Sequence, residues 1–232
     1  MKKFFLKSLY KRVLNIIFHP FLGMNIKPMV LKLEENDKCL VIAPHPDDES
    51  IGCGGIMSKY PQNFKVVCLT HANDERKNEF ENAMNYLNIE RDILNIEDKH
   101  ISEGYDEFSK INFDGFNYVF IPYIFDQHND HKAVSLLLFE YLKKNNVNKN
   151  LKIVFYEVWS AMNMPNYFIN ISKFMENKIN AINFHKSQVD EKDYATKILG
   201  LNQYRGMIIN CAAAECFTIL SIEEFNKIIK GF

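Results

Sequence analysis

A histidine and three acids stand together where a run of apolar residues ends. The run Cys39–Ala43 predicts a buried strand, and His45, Asp47, Asp48 and Glu49 follow it closely. A buried strand has no packing use for such residues, whereas histidine and carboxylate side chains are ligands for a divalent cation such as zinc. We therefore predict the first half of a metal site at the carboxyl end of this strand.

A second polar cluster follows another apolar run much later in the chain. His128, Asp130 and His131 come shortly after the apolar residues 118–124. In an open α/β sheet, ligands bind beyond the carboxyl ends of the strands, so two strand ends can share one site. We therefore expect this cluster to supply the second half of the same site.

The elements that must position these clusters follow from the alternation of apolar and amphipathic stretches after Pro28. The predicted strands cover residues 38–43, 64–70, 93–96, 117–124 and 151–158, and the predicted helices cover residues 50–59, 74–88, 131–145, 171–184 and 188–199. Residues 160–170 have no clear period, and we expect them to form a loop near the site. This alternation is typical of βαβ units and predicts an α/β fold with a mainly parallel sheet and helices on both faces.

The charge distribution separates the first 33 residues from the rest of the chain. Residues 1–33 contain seven basic residues and no acid, whereas residues 34–232 carry an excess of eight acidic residues over basic ones. We predict a basic N-terminal segment over residues 1–33 and one domain over residues 34–232. The acidic charge of the domain argues against a nucleic-acid partner.

The N-terminal segment has the pattern of a basic amphipathic helix within residues 1–18. Charges interrupt every apolar stretch in it, which argues against a secretory signal peptide and against a membrane span. Such a helix can lie peripherally on an anionic membrane, or pack on its own domain or on a second subunit. Five cysteines without a C-x-x-C pair favour reduced thiols and a cytoplasmic location. No pattern predicts an oligomeric state.

The glycine-rich stretch 52–55 invites comparison with a dinucleotide-binding loop. That loop would need a third glycine at position 57, where Met57 stands, and the acids before it would repel a pyrophosphate. We expect these glycines to let the N-terminus of a helix approach the metal loop closely.

The ordered set of motifs resembles that of the PIG-L/LmbE-like deacetylases, which are zinc-dependent enzymes that remove the acetyl group from N-acetylglucosamine conjugates. The motifs are Pro44–Glu49 with Gly52–Gly55, an R-x-x-E-x-x-x-A-x-x-x-L pattern that begins at Arg76, the group His128 and Asp130-His131, His185–Gln188, and Ala214–Phe217. The resemblance covers roughly residues 38–220. It implies a three-layer, Rossmann-like fold.

The resemblance also implies a role for each residue of the site. The metal ligands would be His45, Asp48 and His131, and Asp47 would act as the general base. His128 would stabilise the oxyanion or protonate the leaving nitrogen. Of the remaining residues, Arg76 would hold substrate hydroxyl or phosphate groups, Asp130 would orient a ligand imidazole, and His185 would either support the site or line the pocket. Apart from the resemblance, Glu215 stands in the apolar stretch 212–217 and needs a buried partner, so we expect it to support the site. Zinc is the expected metal, although iron, manganese and cobalt suit the same ligands.

We therefore expect a zinc-dependent N-deacetylase that acts on an N-acetylated amino sugar or its conjugate, including a lipid-linked or surface-polysaccharide precursor. Two alternatives remain open: a metal-dependent amidohydrolase for a non-sugar amide, and a metal-containing glycan-binding protein without turnover. The presence of both Asp47 and His128 argues against the second, because a binding protein needs neither a base nor an acid. Asp126, Gln127 and Asn129 stand where many relatives have an aromatic residue and two prolines, which leaves the substrate open.

Overall fold

Eight strands form one sheet in the computed structural model, which describes residues 28–189 and 193–231. In chain order the strands are β1 Met29–Val30, β2 Cys39–Ala43, β3 Phe64–Cys68, β4 Glu90–Ile93, β5 Tyr118–Pro122, β6 Lys152–Tyr156, β7 Tyr167–Asn170 and β8 Ala214–Ser221. Their order in the sheet is β1-β7-β8-β6-β5-β2-β3-β4. Strand β8 runs antiparallel to β6 and β7, and the other strand pairs are parallel. The prediction of a mainly parallel sheet is confirmed.

The described helices connect these strands and extend beyond the last one. They are α1 Asp48–Lys59, α2 Asp74–Leu87, α3 Tyr105–Phe108, α4 Asn129–Lys144, α5 Met175–Asn183, α6 Lys186–Val189, α7 Tyr194–Ile208 and α8 Ile222–Gly231. None of them combines the length and the apolar character that crossing a lipid bilayer would require.

Both faces of the sheet are covered, because alternate residues of its central strands enter two different cores. Val41 of β2 belongs to one core with Phe80 of α2 and Ile182 of α5. Its neighbour Leu40 belongs to the other core with Leu138 of α4. Since every residue of β2 is buried, this strand lies between two layers of helices. The predicted α/β, Rossmann-like fold is therefore confirmed.

The structure corrects several predicted strands. The predicted strand 93–96 lies at Glu90–Ile93 instead, because β4 is an edge strand whose side chains alternate between exposed and half-buried and form no apolar run. The predicted loop 160–170 ends in β7, and the prediction also lacked β1 and β8. These strands were missed because β1 and β7 have only 2 and 4 residues, too few for a clear period, while β8 follows a helix without the spacing of a βαβ unit.

The helix boundaries differ at the carboxyl-terminal end of the chain. The predicted helix 171–184 begins only at Met175, and the predicted helix 188–199 is replaced by α6 and the longer α7. Helix α7 continues past Gly200, where the prediction stopped, because one glycine lowers helix stability by only about 1 kcal/mol. The prediction also lacked α8.

The predicted amphipathic helix of residues 1–18 lies outside the described residues, which begin at residue 28. Of the basic segment 1–33, the structure shows Met29–Val30 paired with β7, and Leu31 and Leu33 within the core. The boundary between residues 33 and 34 stays a prediction.

Candidate active site

The first motif forms the turn between β2 and α1. The backbone N–H of His45 donates to Oδ2 of Asp48 at 2.9 Å, and Asp48 is the first residue of the helix. Asp47 has φ 125° and ψ −32°, a backbone conformation that residues other than glycine rarely adopt. Strain of this kind persists only where the surrounding structure holds it, and it is most common at functional sites.

The three predicted metal ligands meet at this turn. Oδ2 of Asp48 lies 3.2 Å from Nδ1 of His45, and Oδ1 of Asp48 lies 3.3 Å from Nε2 of His131. His131 comes from the first turn of α4, which follows β5, and β5 pairs directly with β2. The two adjacent strand ends therefore place one carboxylate between two imidazole rings.

Several atoms of these three ligands are buried and make no well-aligned hydrogen bond to the part of the chain that the structure describes. They are Oδ1 of Asp48 and both ring nitrogens of His131. A buried polar atom left unpaired costs about 1–3 kcal/mol. A cation between the carboxylate and the two rings would satisfy Oδ1 of Asp48 and one nitrogen of His131, so these residues fit a divalent metal.

His128 lies close enough to be an additional ligand. Its ring centroid is 4.9 Å from the centroids of both His45 and His131. The three histidines each offer a nitrogen within 4.8 Å of the others, which is a spacing that a single metal ion can bridge. The geometry therefore allows a fourth ligand besides the three predicted ones.

In both His45 and His131, the ring nitrogen that faces away from Asp48 lies near another carboxylate. Nε2 of His45 lies 3.1 Å from Oδ2 of Asp130 and 3.3 Å from Oδ1 of Asp98. Nδ1 of His131 lies 3.4 Å from Oδ1 of Asp126. Metal-binding histidines usually have such an outer partner, which fixes the tautomer and the orientation of the ring. Asp130 was predicted for this place, whereas Asp98 and Asp126 were not.

These carboxylates also determine the protonation of the two rings. Burial favours the neutral ring, but contacts with Asp130 and Asp48 outweigh burial and raise the pKa of His45 to about 10. For His131, Asp48 and Asp126 likewise outweigh burial and raise the pKa to about 9. A metal ion must displace these protons, so we expect its binding to release protons.

Asp47 lies beside the predicted metal ligands, but its carboxylate is not within hydrogen-bonding distance of the rings of His45 or His131. Burial raises the pKa of its carboxyl, and the negative charge of Asp48 raises it further, against the opposing effects of His185 and Arg76. Nη2 of Arg76 lies 3.6 Å from Oδ1 of Asp47 and donates to the carbonyl oxygen of Pro46 at 2.8 Å. A carboxyl with a raised pKa can exchange a proton near neutral pH, as a general base must.

His128 is the N-cap residue of α4. Its Nδ1 accepts the backbone N–H of Asp130 at 3.2 Å, so the neutral ring carries its proton on Nε2. Burial lowers the pKa of His128, and the neighbouring His45 and His131 lower it further. The ring is therefore suited to donate a hydrogen bond from Nε2 even when it is uncharged.

His185 lies behind the turn, where it contacts Glu49. Its side chain is buried, and Nε2 lies 3.4 Å from Oε1 of Glu49. The other oxygen of Glu49 accepts the backbone N–H of Asp47 at 3.2 Å. Of the two places predicted for His185, the structure favours support over a place in the pocket wall.

Glu215 supports helix α1 rather than the metal group, by which we mean the predicted ligands His45, Asp48 and His131. Its oxygens accept the backbone N–H of Gly55 at 2.7 Å and of Ile56 at 2.8 Å, and the ammonium of Lys178 donates to it at 2.7 Å. A Cβ at position 55 would lie 3.0 Å from Oε1 of Glu215 and 2.7 Å from the side chain of Ile171. The glycines were expected to allow close approach to the metal loop, and this was wrong for Gly55, which instead makes room for Glu215 and Ile171.

A pocket of about 430 Å³ opens beside the group. Besides residues named above, its lining includes Lys99, Gln127, Trp159, Gln188 and Tyr194. The rings of Trp159 and Tyr194 lie 5.0 Å apart between centroids and form an aromatic part of the wall. The sequence gives no signal for Asp98 or Lys99, whereas Asp126 could have been noticed as the acid two residues before His128.

Comparison with known proteins points to one family. Residues 40–142 match the family described as PIG-L, GlcNAc-PI de-N-acetylase. This stretch contains the metal ligands, the base and the arginine predicted above. It begins in β2 and ends in α4, so it includes both strand ends that form the site.

Solved structures share the fold at low sequence identity. N,N'-diacetylchitobiose deacetylase from Pyrococcus horikoshii matches with a TM-score of 0.69 and 22% identity, over 94% of this chain and 93% of that one. A conserved protein from Thermus thermophilus matches with a TM-score of 0.66 and 22% identity, over 78% of this chain and 93% of that one.

A third match shows that this fold accommodates another reaction. 4-Carboxy-2-hydroxymuconate hydratase from Pseudomonas putida has a TM-score of 0.63 and 17% identity, over 79% of this chain and 96% of that one. The function must therefore be argued from the site and not from the fold. Residues 40–142 match the PIG-L family model, and the resemblance indicated by the sequence motifs is confirmed.

Proposed function

We propose that the protein is a metal-dependent hydrolase that removes the acetyl group from an N-acetylated amino sugar or its conjugate. The observation that carries the proposal is the position of Asp48 between His45 and His131, with Asp47 held next to it. The description of the family that residues 40–142 match supports the reaction type.

Each residue of the site has a separate role in the proposed hydrolysis. When bound at His45, Asp48 and His131, a divalent metal would polarise the acetamide carbonyl and lower the pKa of a water molecule. Asp47 takes a proton from the attacking water, which forms the new C–O bond. The C–N bond then breaks, and the leaving nitrogen receives that proton. His128 donates a hydrogen bond from Nε2 to the developing oxyanion.

The pocket wall suits a sugar. Arg76 lines the pocket, where its guanidinium offers donors for hydroxyl or phosphate oxygens of a substrate. Trp159 and Tyr194 provide an aromatic surface on which the apolar face of a sugar ring can pack. We infer that the acetamido group lies toward Asp47 and the sugar ring toward Trp159.

The proposal includes a cytoplasmic location, as the cysteine pattern predicts. Contact of residues 1–18 with an anionic membrane would bring a lipid-linked substrate within reach. Sedimentation with anionic liposomes tests this: we expect the full chain to sediment and a chain without residues 1–20 to stay in solution. Equal sedimentation of both chains would contradict the membrane contact.

Release of acetate tests the proposed reaction. We would incubate metal-stripped and zinc-loaded protein with N-acetylated monosaccharides, nucleotide sugars and lipid-linked sugars, and with non-sugar acetamides. We expect zinc-dependent acetate release from at least one sugar. Release from the non-sugar acetamides alone would establish the amidohydrolase alternative, and zinc and glycan binding without release would establish the binding protein.

Asp48→Asn tests the metal centre in the same assay. Because Asp48 contacts both rings, we expect a loss of zinc affinity greater than the about 10–100-fold typical of residues that only orient a ligand. Asp98→Asn is the matched control, since Asp98 contacts Nε2 of His45, the ring nitrogen that faces away from Asp48. Equal zinc affinity in wild type and Asp48→Asn would contradict the proposed ligand set.

A further inference from the structure

Asp126 is buried between the metal group and the pocket wall. It follows β5, and its side chain is 0% exposed. Oδ1 accepts the backbone N–H of His128 at 2.9 Å and lies 3.4 Å from Nδ1 of His131. Oδ2 accepts the backbone N–H groups of Trp159 and Ser160 at 2.9 and 3.1 Å. One carboxylate thus contacts both histidines of the second motif and the loop that follows β6.

The two oxygens of Asp126 serve different partners. Oδ1 faces the segment that carries His131, and Oδ2 faces the backbone of the pocket wall. Because the carboxylate is rigid and planar, a rotation that improves one set of contacts disturbs the other. Buried polar groups connected in this way behave as one network.

Asp130 offers a comparison on the other ring. It lies 3.1 Å from Nε2 of His45, and it accepts the backbone N–H of Lys99 at 3.1 Å. It makes no hydrogen bond to Trp159 or Ser160 among the contacts of the described residues. The two carboxylates therefore share the contact with a ligand ring but differ in their contact with the aromatic wall.

We propose that Asp126 is a positioning residue that couples metal binding at His131 to the conformation of the pocket wall at Trp159. The inference rests on the proposed metal centre. When His131 binds a metal, its ring is held in one orientation, which holds Asp126 and, through Oδ2, the backbone of Trp159 and Ser160. Metal binding at His131 thereby restricts the conformation of the aromatic wall.

The chain provides its own reporter for this coupling. Trp159 is the single tryptophan of the 232 residues, so tryptophan fluorescence comes from the pocket wall alone. Its ring packs near Tyr194, and a shift of the loop would change its surroundings. Fluorescence therefore measures the wall independently of catalysis.

The experiment titrates zinc from a chelator-buffered solution into metal-stripped full-length protein, while zinc affinity and Trp159 emission are recorded. The variants are Asp126→Asn and Asp130→Asn. An amide has one accepting oxygen where the carboxylate has two, so Asp126→Asn loses either the ring or the wall contact. We expect Asp130→Asn, and Asp126→Asn when the ring contact is the one lost, to bind zinc about 10–100-fold more weakly than wild type. At saturating zinc, the emission change should persist in Asp130→Asn and be lost in Asp126→Asn.

Ser160→Ala controls for simple proximity of the two loops. Oγ of Ser160 accepts the backbone N–H of Gln127 at 3.1 Å, so this variant removes a different link between the same segments. It should keep the zinc affinity and the emission change of wild type.

The outcomes separate the coupling from the metal centre. If wild type binds zinc and Trp159 emission stays constant, the coupling is overturned whether or not the variants fold. A full emission change in saturated Asp126→Asn overturns it as well. Failure of wild type to bind zinc would instead remove the metal centre on which the inference rests.

Discussion

Replacing Asp47 with asparagine should abolish most of the acetate release and make the metal-free protein more stable. The amide cannot accept the proton of water, and loss of a general base typically costs about 10²–10⁴-fold in rate. The same change removes a charge that burial and Asp48 both disfavour. Asparagine tolerates positive φ as aspartate does, so the turn should persist. Initial rates and thermal unfolding of the same samples test both effects.

The gain in stability should depend on pH in a defined direction. The pKa of Asp47 is higher in the folded protein than its ordinary value of about 3.9, so the folded state binds more protons than the unfolded state above that pH. The wild type therefore loses stability as pH rises through this window, and the asparagine variant lacks this loss. The difference in Tm should grow from pH 5 to neutral pH. A constant difference would contradict the raised pKa.

Removing Lys178 should destabilise the fold more than any surface change. Lys178 and Glu215 form an ion pair whose side chains are 1% and 2% exposed. Lys178→Met keeps most of the side-chain volume but leaves the Glu215 carboxylate charged and buried. Among the described residues, its remaining partners are then the backbone N–H groups of α1. Breaking a buried pair in this way costs about 3–5 kcal/mol. Urea unfolding followed by circular dichroism measures the loss.

Lys227→Met is the matched control for this experiment. Lys227 pairs with Glu223 on α8, and both side chains are more than two-thirds exposed, at 71% and 78%. Solvent screens such a pair, so the control should unfold at nearly the same urea concentration as wild type. Similar small losses in both variants would show that the buried pair does not stabilise α1 as its geometry indicates.

The metal group could be predicted because its residues follow the carboxyl ends of two strands. His45 and Asp48 follow β2, and His131 follows β5, and these strands are neighbours in the sheet. A parallel sheet brings such strand ends together whatever lies between them in sequence. The structure places the three side chains as the motifs predict, and their roles in binding metal stay predictions.

The outer contacts could not be predicted, because they depend on irregular segments. Asp98 comes from the residues after edge strand β4, where no hydrophobic period marks the chain. The contact of Asp126 with Trp159 depends on how the loop after β6 folds back. The partner of Glu215 was expected to be buried, yet nothing in the spacing identified Lys178 on α5. Sequence patterns indicate which face of an element is buried, but not which polar groups meet there.

The position of β2 in the sheet has a further consequence for local unfolding. Strand β2 lies between β3 and β5, and two layers of helices cover it. Its amide protons can exchange with solvent only when a large part of the domain opens, whereas the edge strands β1 and β4 can fray independently. His45 and Asp48, two of the three proposed metal ligands, thus follow directly the strand that we expect to open last. The ligand geometry would survive fluctuations that separate the sheet edges.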